Sequence, residues 1–332
     1  MTVEKEKRSF PTRRDFISLG IGAFVVGSVP FARRFAGPRL VRRTVPAMGT
    51  LAEIGVVHGD ERYAQRAMDA AFGELRRVEA LLTRHRDDSE IGQVNLGAFG
   101  SPRPVSDETG RVLQASLRWA EGSEGAFDPC LGRVMKLWDV GNRTRPPGSS
   151  QVRKFARRHL YRSLELDRSR GRPVVVFHDE DMGLDLGGIG KGYGVDRAAG
   201  VLREWGIENA LVNVGGDLYA LGVSEDGDSW KVGVRSPDDP EGIAATLPLK
   251  DGGVATSGDY LQYFEHGGRR YHHLLDPGTG EPSRPRVRSV TVAAPSCMDA
   301  DAAATTAFAS SVEKASGVMG RVAPGAEVVH TI

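Results

Sequence analysis

The chain has 332 residues but only two cysteines, and its formal net charge is +1. Two cysteines cannot staple a disulfide-dense scaffold. No fixed-period repeat runs along it, so repeat architectures are not indicated. Between 44 and 332 no stretch reads as a linker long enough to separate independent domains. About 290 residues of body then make one large domain or two intimately packed halves. What the chain has in excess is glycine, 42 residues, roughly 13% against a usual share of about 7%. No collagen-like period accompanies it, so the surplus belongs to turns and close backbone approaches. An apolar fraction of 40% suffices for a sizeable core.

The near-zero charge hides an asymmetry. Residues 1–43 hold ten basic and three acidic residues, while the remainder holds 34 basic and 40 acidic. A mildly acidic body argues against nucleic acid as a partner. The basic leader reads as an address. Arg13-Arg14, an apolar residue two further on, and the apolar run Phe16–Ala32 resemble a twin-arginine export signal. The run has 17 residues with four interruptions, Gly20, Gly22, Gly27 and Pro30. That is short and soft for a membrane span and suits a signal. A chance arginine pair before a membrane anchor is the competing reading. No Ala-x-Ala site stands out, so cleavage and retention as an anchor both stay open. On this reading residues 1–43 are the export segment, residues 44–332 the working domain, and the compartment periplasmic or extracellular.

Apolar residues recur at helical spacing over Glu61–Thr83, Asp107–Glu121, Lys191–Trp205 and Met298–Val312. Strand patterns cover Leu51–Val57, Pro173–Phe177, Ala210–Val214, Trp230–Arg235, Arg270–Leu275 and Val287–Ala293. The two types mix without a regular βαβ alternation. This predicts an α+β fold with largely antiparallel sheets and packed helices. Gly141–Gln151 is a loop by composition.

Four segments carry candidate chemistry. In Gly183–Gly194 a strand runs into glycines and then into a helix near Lys191, a setting that suits a phosphate. It is neither a P-loop nor a dinucleotide fingerprint, because Asp185 and Gly192 stand where the P-loop needs Gly and Ser or Thr. A tight strand–helix turn explains it equally well. Asn213–Asp217 ends a strand in two glycines and an aspartate that caps a turn or meets a ligand. In Tyr271–Pro277, His272 and His273 point to opposite faces of a strand, so at most one serves a given site. In Ser296–Thr305, Asp301 and Thr305 are one helical turn apart and present oxygens that suit Mg²⁺. An acidic helix start also simply favours the dipole.

Taken together and in order, these segments resemble the FAD:protein FMN transferase family, the ApbE-type flavin transferases. The resemblance runs from Met48-Gly49-Thr50 to beyond Thr305. It includes Gly125–Pro129 with Leu137-Trp138, LDLGGIGKGYGVDRAA at 184–199, LVNVGGDLYALG at 211–222, VATSGDYLQYF at 254–264, HLLDPGTGEP at 273–282 and SVTVAAPSCMDADAAATTAF at 289–308. It implies an ApbE-like, T-fold-related architecture. It also implies Mg²⁺-dependent transfer of FMN from FAD to a Thr or Ser hydroxyl of an exported redox protein, with AMP leaving. Mg²⁺ would be held by Asp301, Thr305 and backbone oxygens at Gly190 and Ala304. FAD would lie near Met48, His85, Ala126, Phe127, Asp128, Gly187, Tyr193 and Leu275. Lys191 would face the pyrophosphate, and His273 would be the general base.

Two departures stand out. The family commonly has Ala where this chain has Gly190, and Tyr where it has His85. His stacks on a flavin over a smaller area, which bears on the balance between transfer and plain hydrolysis. An FAD pyrophosphatase releasing FMN and AMP is therefore one alternative, and a non-catalytic flavin-binding protein is another. No acceptor-type Asp-x-x-Ser/Thr-Gly-Ala-Thr segment occurs in the chain itself. Cys130 and Cys297 read as separate free thiols.

Overall fold

Strand order repeats chain order in the sheet that carries the fold. Seven strands lie side by side: β1 Arg39–Ala47, β2 Thr50–His58, β3 Ala210–Val214, β4 Asp217–Leu221, β5 Gly252–Gly258, β6 Ser289–Ala294 and β7 Glu327–Thr331. Every neighbouring pair is antiparallel. The computed structural model describes residues 24–26, 37–169, 171–239, 242–260 and 262–332. Arg13-Arg14 and most of the apolar run that follows lie outside the described residues. Phe24–Val26, inside that run, forms a short strand beside Trp230–Arg235.

The helices are α1 Glu61–Leu82, α2 Glu90–Gly97, α3 Asp107–Gly122, α4 Gly132–Trp138, α5 Ser149–Arg153, α6 Gly190–Glu204, α7 Cys297–Ala309 and α8 Val312–Val322. Strand alternation decides what the sheet faces. Ala52, Ile54 and Val56 of β2, with Val212 and Val214 of β3, pack under Ala67, Ala71 and Leu75 of α1 and Val195, Ala198 and Leu202 of α6. The opposite face sets Val57, Leu211, Leu218 and Val254 against Trp230, Val232 and Val234 of a smaller sheet. A third cluster joins α3, α7 and the 127–186 connection. Side-chain caps start most long helices: Asp60 for α1, Ser106 for α3 and Ser296 for α7.

The α+β, antiparallel expectation holds. Four details differ from the sequence reading. Arg39–Arg43, counted above with the leader, belong to β1, where Arg42 pairs with Glu53 and Arg43 with Asp69. The folded body therefore starts by Arg39, and residues 1–38 keep seven basic and three acidic residues. The helix expected over Met298–Val312 ends at Ala309, because Ser311 starts α8 by accepting the Lys314 N–H. The strand expected over Arg270–Leu275 breaks after His272. No regular strand precedes the glycine segment. Instead, the Asn95 carboxamide pairs with both the N–H and the carbonyl of Leu184, standing in for a neighbouring strand. Both cysteines are free and buried.

Candidate active site

The amino end of α6 is where the predicted residues converge, and glycine makes that convergence sterically feasible. A Cβ at Gly192 would lie 2.3 Å from the Cys297 carbonyl oxygen, so only glycine lets α6 approach the start of α7 this closely. A Cβ at Gly188 would come within 3.0 Å of Thr305 Oγ1 and 3.2 Å of the Phe127 ring. The contact is locked by Asp196 on α6. Its carboxylate accepts the Cys297 and Met298 N–H groups at 2.8 and 2.9 Å, capping α7 from a neighbouring helix. Burial pushes the Asp196 carboxyl up to about 6, against those two donors.

Three charges meet beneath this contact. Lys191 Nζ lies 2.5 Å from Asp217 Oδ2 and 3.4 Å from both Asp301 oxygens. Asp301 Oδ2 also accepts the Gly192 N–H at 3.1 Å. The Gly215-Gly216 turn, with φ of +60° and +103°, reverses the chain between β3 and β4. Asp217 opens β4 and shares the helix-side face with Tyr219 and Leu221. In the fold its carboxylate is the partner of Lys191. Burial disfavours the ammonium of Lys191, but Asp217 and Asp301 outweigh it and hold it charged. Burial and Asp301 raise the Asp217 carboxyl well above the usual carboxylate range, against the pull of Lys191.

These contacts engage two of the groups on which the phosphate reading of the glycine segment relies. Asp301 already takes an N–H at the start of α6, and Lys191 is held by two carboxylates. The donor set does fit a hard cation. Asp301 is buried, and Thr305, one turn on, is the only residue of Ala300–Phe308 that is not, its hydroxyl facing Gly188. Among the described residues no three His, Cys, Asp or Glu side chains gather to hold a metal. A cation here would rely on Asp301, Thr305 and backbone oxygens, for which the resemblance names Gly190 and Ala304.

Of the expected flavin residues, Phe127 lies against Gly188, Met48 against Gly194, and Tyr193 is on α6 itself. Met48 sits at the β1–β2 turn with φ +53°, its N–H donating to Glu79 at 2.8 Å and its sulfur against Gly194. His85 follows α1 beside the Arg84–Asp185 ion pair (2.5 Å), and Asp185 also accepts the Gly187 N–H. Burial lowers the His85 imidazole. Tyr193 donates to Glu108 at 2.8 Å; burial, then Glu108, push its phenol up to about 12. Ala126 and buried Phe127 follow α3. Asp128 is used internally, accepting the Cys130 and Tyr161 N–H groups, and burial raises it to about 6. Leu275 is buried and opens the short strand that follows the bend at His273.

The two histidines part as expected. His272 is buried, its Nε2 3.0 Å from the Ser283 carbonyl and its ring edge-on to Phe308. His273 is half-buried, and its Nδ1 lies 3.3 Å from the Gln262 carbonyl. A carbonyl only accepts, so Nδ1 carries the proton and Nε2 keeps its lone pair. Burial first, with Lys191 and His272 adding to it, pushes this imidazole down to about 4. Sequence reading missed Glu79 and Asp185, which hold the Met48 and Gly187 N–H groups, and Asp196 and Asn95, which cap α7 and pair with Leu184. Their only sequence signal is polarity inside otherwise glycine- or apolar-rich segments.

A model of the ApbE family matches residues 48–329. The FAD:protein FMN transferase of Treponema pallidum is 36% identical over 280 residues, covering 79% of this chain and 76% of its own. That of Vibrio cholerae is 34% identical over 265 residues, covering 78% of each chain. Among solved structures, an ApbE protein from Thermotoga maritima superposes with a TM-score of 0.75 at 32% identity, over 82% of this chain and 87% of that one. The flavin transferase ApbE from Vibrio cholerae gives 0.72 at 31% identity, over 85% and 90%. Matched along nearly all of its folded body, in sequence and in fold, this chain belongs to the ApbE family.

Proposed function

We propose that this protein is a Mg²⁺-dependent FAD:protein FMN transferase acting on an exported redox protein. The observation that supports it most is the meeting of Asp301, Thr305 and Lys191 at the glycine loop of an ApbE-family fold. In the reaction, a Thr or Ser hydroxyl oxygen of the acceptor attacks the FMN phosphorus of FAD. The bond from that phosphorus to the bridging oxygen breaks, and AMP leaves. The hydroxyl proton passes to His273 Nε2 and then to solvent. Phosphoryl transfer of this kind asks for positioning and charge neutralisation more than for covalent help.

The chain's own residues supply most of that. Lys191 stays an ammonium because two carboxylates face it, so a fixed positive charge borders the loop where the pyrophosphate would lie. His273 is neutral throughout the physiological range, with one nitrogen oriented by Gln262 and the other open to a proton. Asp185 and Arg84 tie the glycine loop to the segment bearing His85. Mg²⁺, held by Asp301, Thr305 and backbone oxygens at Gly190 and Ala304, would neutralise charge on the pyrophosphate oxygens.

Incubation with FAD, Mg²⁺ and an exported redox domain bearing an Asp-x-x-Ser/Thr-Gly-Ala-Thr segment tests the proposal. Flavin fluorescence on the denatured acceptor band is the expected result. Free FMN and AMP with an unlabelled acceptor would make the protein an FAD pyrophosphatase instead. We also propose twin-arginine export. Replacing Arg13-Arg14 by Lys-Lys should leave the protein in the cytoplasm, and unchanged export would refute it.

A further inference from the structure

Residues 143–172 hold ten basic and two acidic residues in a body that is otherwise acidic. Nine of the ten lie among the described residues, and all nine are exposed. Lys154 and Arg158 pair with Asp179 and Asp181. Arg143, Arg145, Arg153 and Arg157 have no carboxylate within ion-pair distance among the described residues. Four exposed, uncompensated arginines on one short segment cost self-repulsion, and a folded enzyme gains nothing internally from them.

Their place in the fold gives the cluster meaning. The Arg157 N–H donates to the Gly278 carbonyl at 3.1 Å, and Trp138 on α4 donates to the Gly280 carbonyl at 2.7 Å. A Cβ at Gly280 would lie 3.2 Å from the Val152 carbonyl of α5. So α5 and the residues after it brace the turn that follows His273 and Leu275. At its far end the segment reaches the other side of the site, where the Tyr161 N–H donates to Asp128 and His159 lies against Gly125. The arginine-bearing segment therefore borders both the His273 side and the Ala126–Asp128 side.

We propose that this basic rim is the docking surface for the acceptor protein, and that it selects acceptors with an acidic face around the modified hydroxyl. The proposal rests on the transferase reading: a hydroxyl delivered to His273 has to be carried by a body lying across this rim. Opposite charge there would speed encounter and fix orientation, an effect that salt screens.

The test is a charge exchange in the full-length protein. Arg143→Glu, Arg145→Glu and Arg153→Glu are combined, since none of these three side chains makes a hydrogen bond or ion pair among the described residues. Two probe redox domains carry the same Asp-x-x-Ser/Thr-Gly-Ala-Thr segment, one with an acidic surface and one with a basic surface. Wild type should favour the acidic probe, with kcat/KM about 10- to 100-fold higher at low salt. The triple variant should lose that preference and its salt dependence, while FAD affinity and acceptor-free FAD hydrolysis stay within about twofold. Equal use of both probes by wild type, or an unchanged preference in the variant, overturns the proposal. Weakened FAD binding in the variant would make the rim a cofactor-phosphate contact and also overturns it. So does wild-type binding to phosphatidylglycerol vesicles with no discrimination between probes. Immobilised-probe binding without FAD keeps the two readings apart: selective binding without labelling would sink the transferase reading and leave the surface standing.

Discussion

The charge cluster under the glycine loop and the basic rim beside it handle charge in opposite ways. Beneath the loop Asp217 and Asp301 are buried, Lys191 is half-buried, and every charge has a partner. On the rim Arg143, Arg145, Arg153 and Arg157 are exposed and have no carboxylate partner among the described residues. The cluster is built from α6, α7 and β4, whose packing leaves no room even for a methyl group at Gly192. The rim is built from a five-residue helix and loops held to the site by backbone hydrogen bonds. Desolvation explains the difference. A buried unpaired charge would cost several kcal/mol, so the interior pairs its charges, whereas an exposed arginine stays available to a partner.

That contrast can be attacked from both sides. Damage to the cluster should reach the chemistry. Asp301→Ala should lower FMN release by about 100-fold or more and abolish its Mg²⁺ dependence. An unchanged Mg²⁺ titration would falsify the metal assignment. His273→Gln should cost about 100-fold in transfer. In the wild type the acid limb contributed by this histidine should fall near pH 4, not 6.5, since burial favours its neutral form. A wild-type limb near 6.5, or one that survives in the Gln variant, removes His273 as the base. The same depression makes this histidine's contribution to folding stability complete above about pH 6.5 and progressively lost as pH falls through about 4, because the unfolded chain takes up the proton first.

Packing variants probe the cluster's framework. Gly192→Ala should cost about 2–3 kcal/mol in chemical denaturation, because the new Cβ meets backbone rather than a movable side chain. An unchanged midpoint would mean the helices can part without penalty. On the rim, the triple Arg→Glu variant should change stability by less than about 0.5 kcal/mol per site. A large loss would show that those arginines serve the fold. The smallest effect is expected at Gly190→Ala. Its Cβ would find its nearest neighbour, Leu186 Cβ, at 3.7 Å, and replacing a helical glycine gains about 0.5 kcal/mol. A loss there would mean that α6 needs glycine flexibility at its first residue.

Much of this molecule was legible early because its signals are local. The 3–4 spacing of Ala64, Ala67, Met68, Ala71 and Leu75 fixed α1, and all five are buried. The doublet His272-His273 divides into a buried and a half-buried residue, although the strand ends at His272 and alternation does not continue through His273. Local signals failed where two patterns abut. Met298–Val312 looked like one helix because apolar spacing continues across Ser310-Ser311, and only the capping geometry separates α7 from α8. Arg39–Arg43 read as part of a basic leader because composition counts charges without seeing the strand they begin. Asp196 gives no sign of its partners beyond its polarity, since the N–H groups it caps belong to Cys297 and Met298, about a hundred residues later.

By itself the sequence determined the elements, the glycine segments and the residue types that cation and phosphate chemistry require. Those depend on periodicity, side-chain chemistry and the φ freedom of glycine, all properties of neighbours along the chain. Only the tertiary structure decided what each charged group faces. Lys191 meets Asp217 across 26 residues and Asp301 across 110, through the placement of α6 against β4 and α7. Ion pairing at that separation depends on register and helix approach to within an ångström. The same approach gives the Gly192 N–H and the Lys191 ammonium, both in the glycine segment, their carboxylate partners.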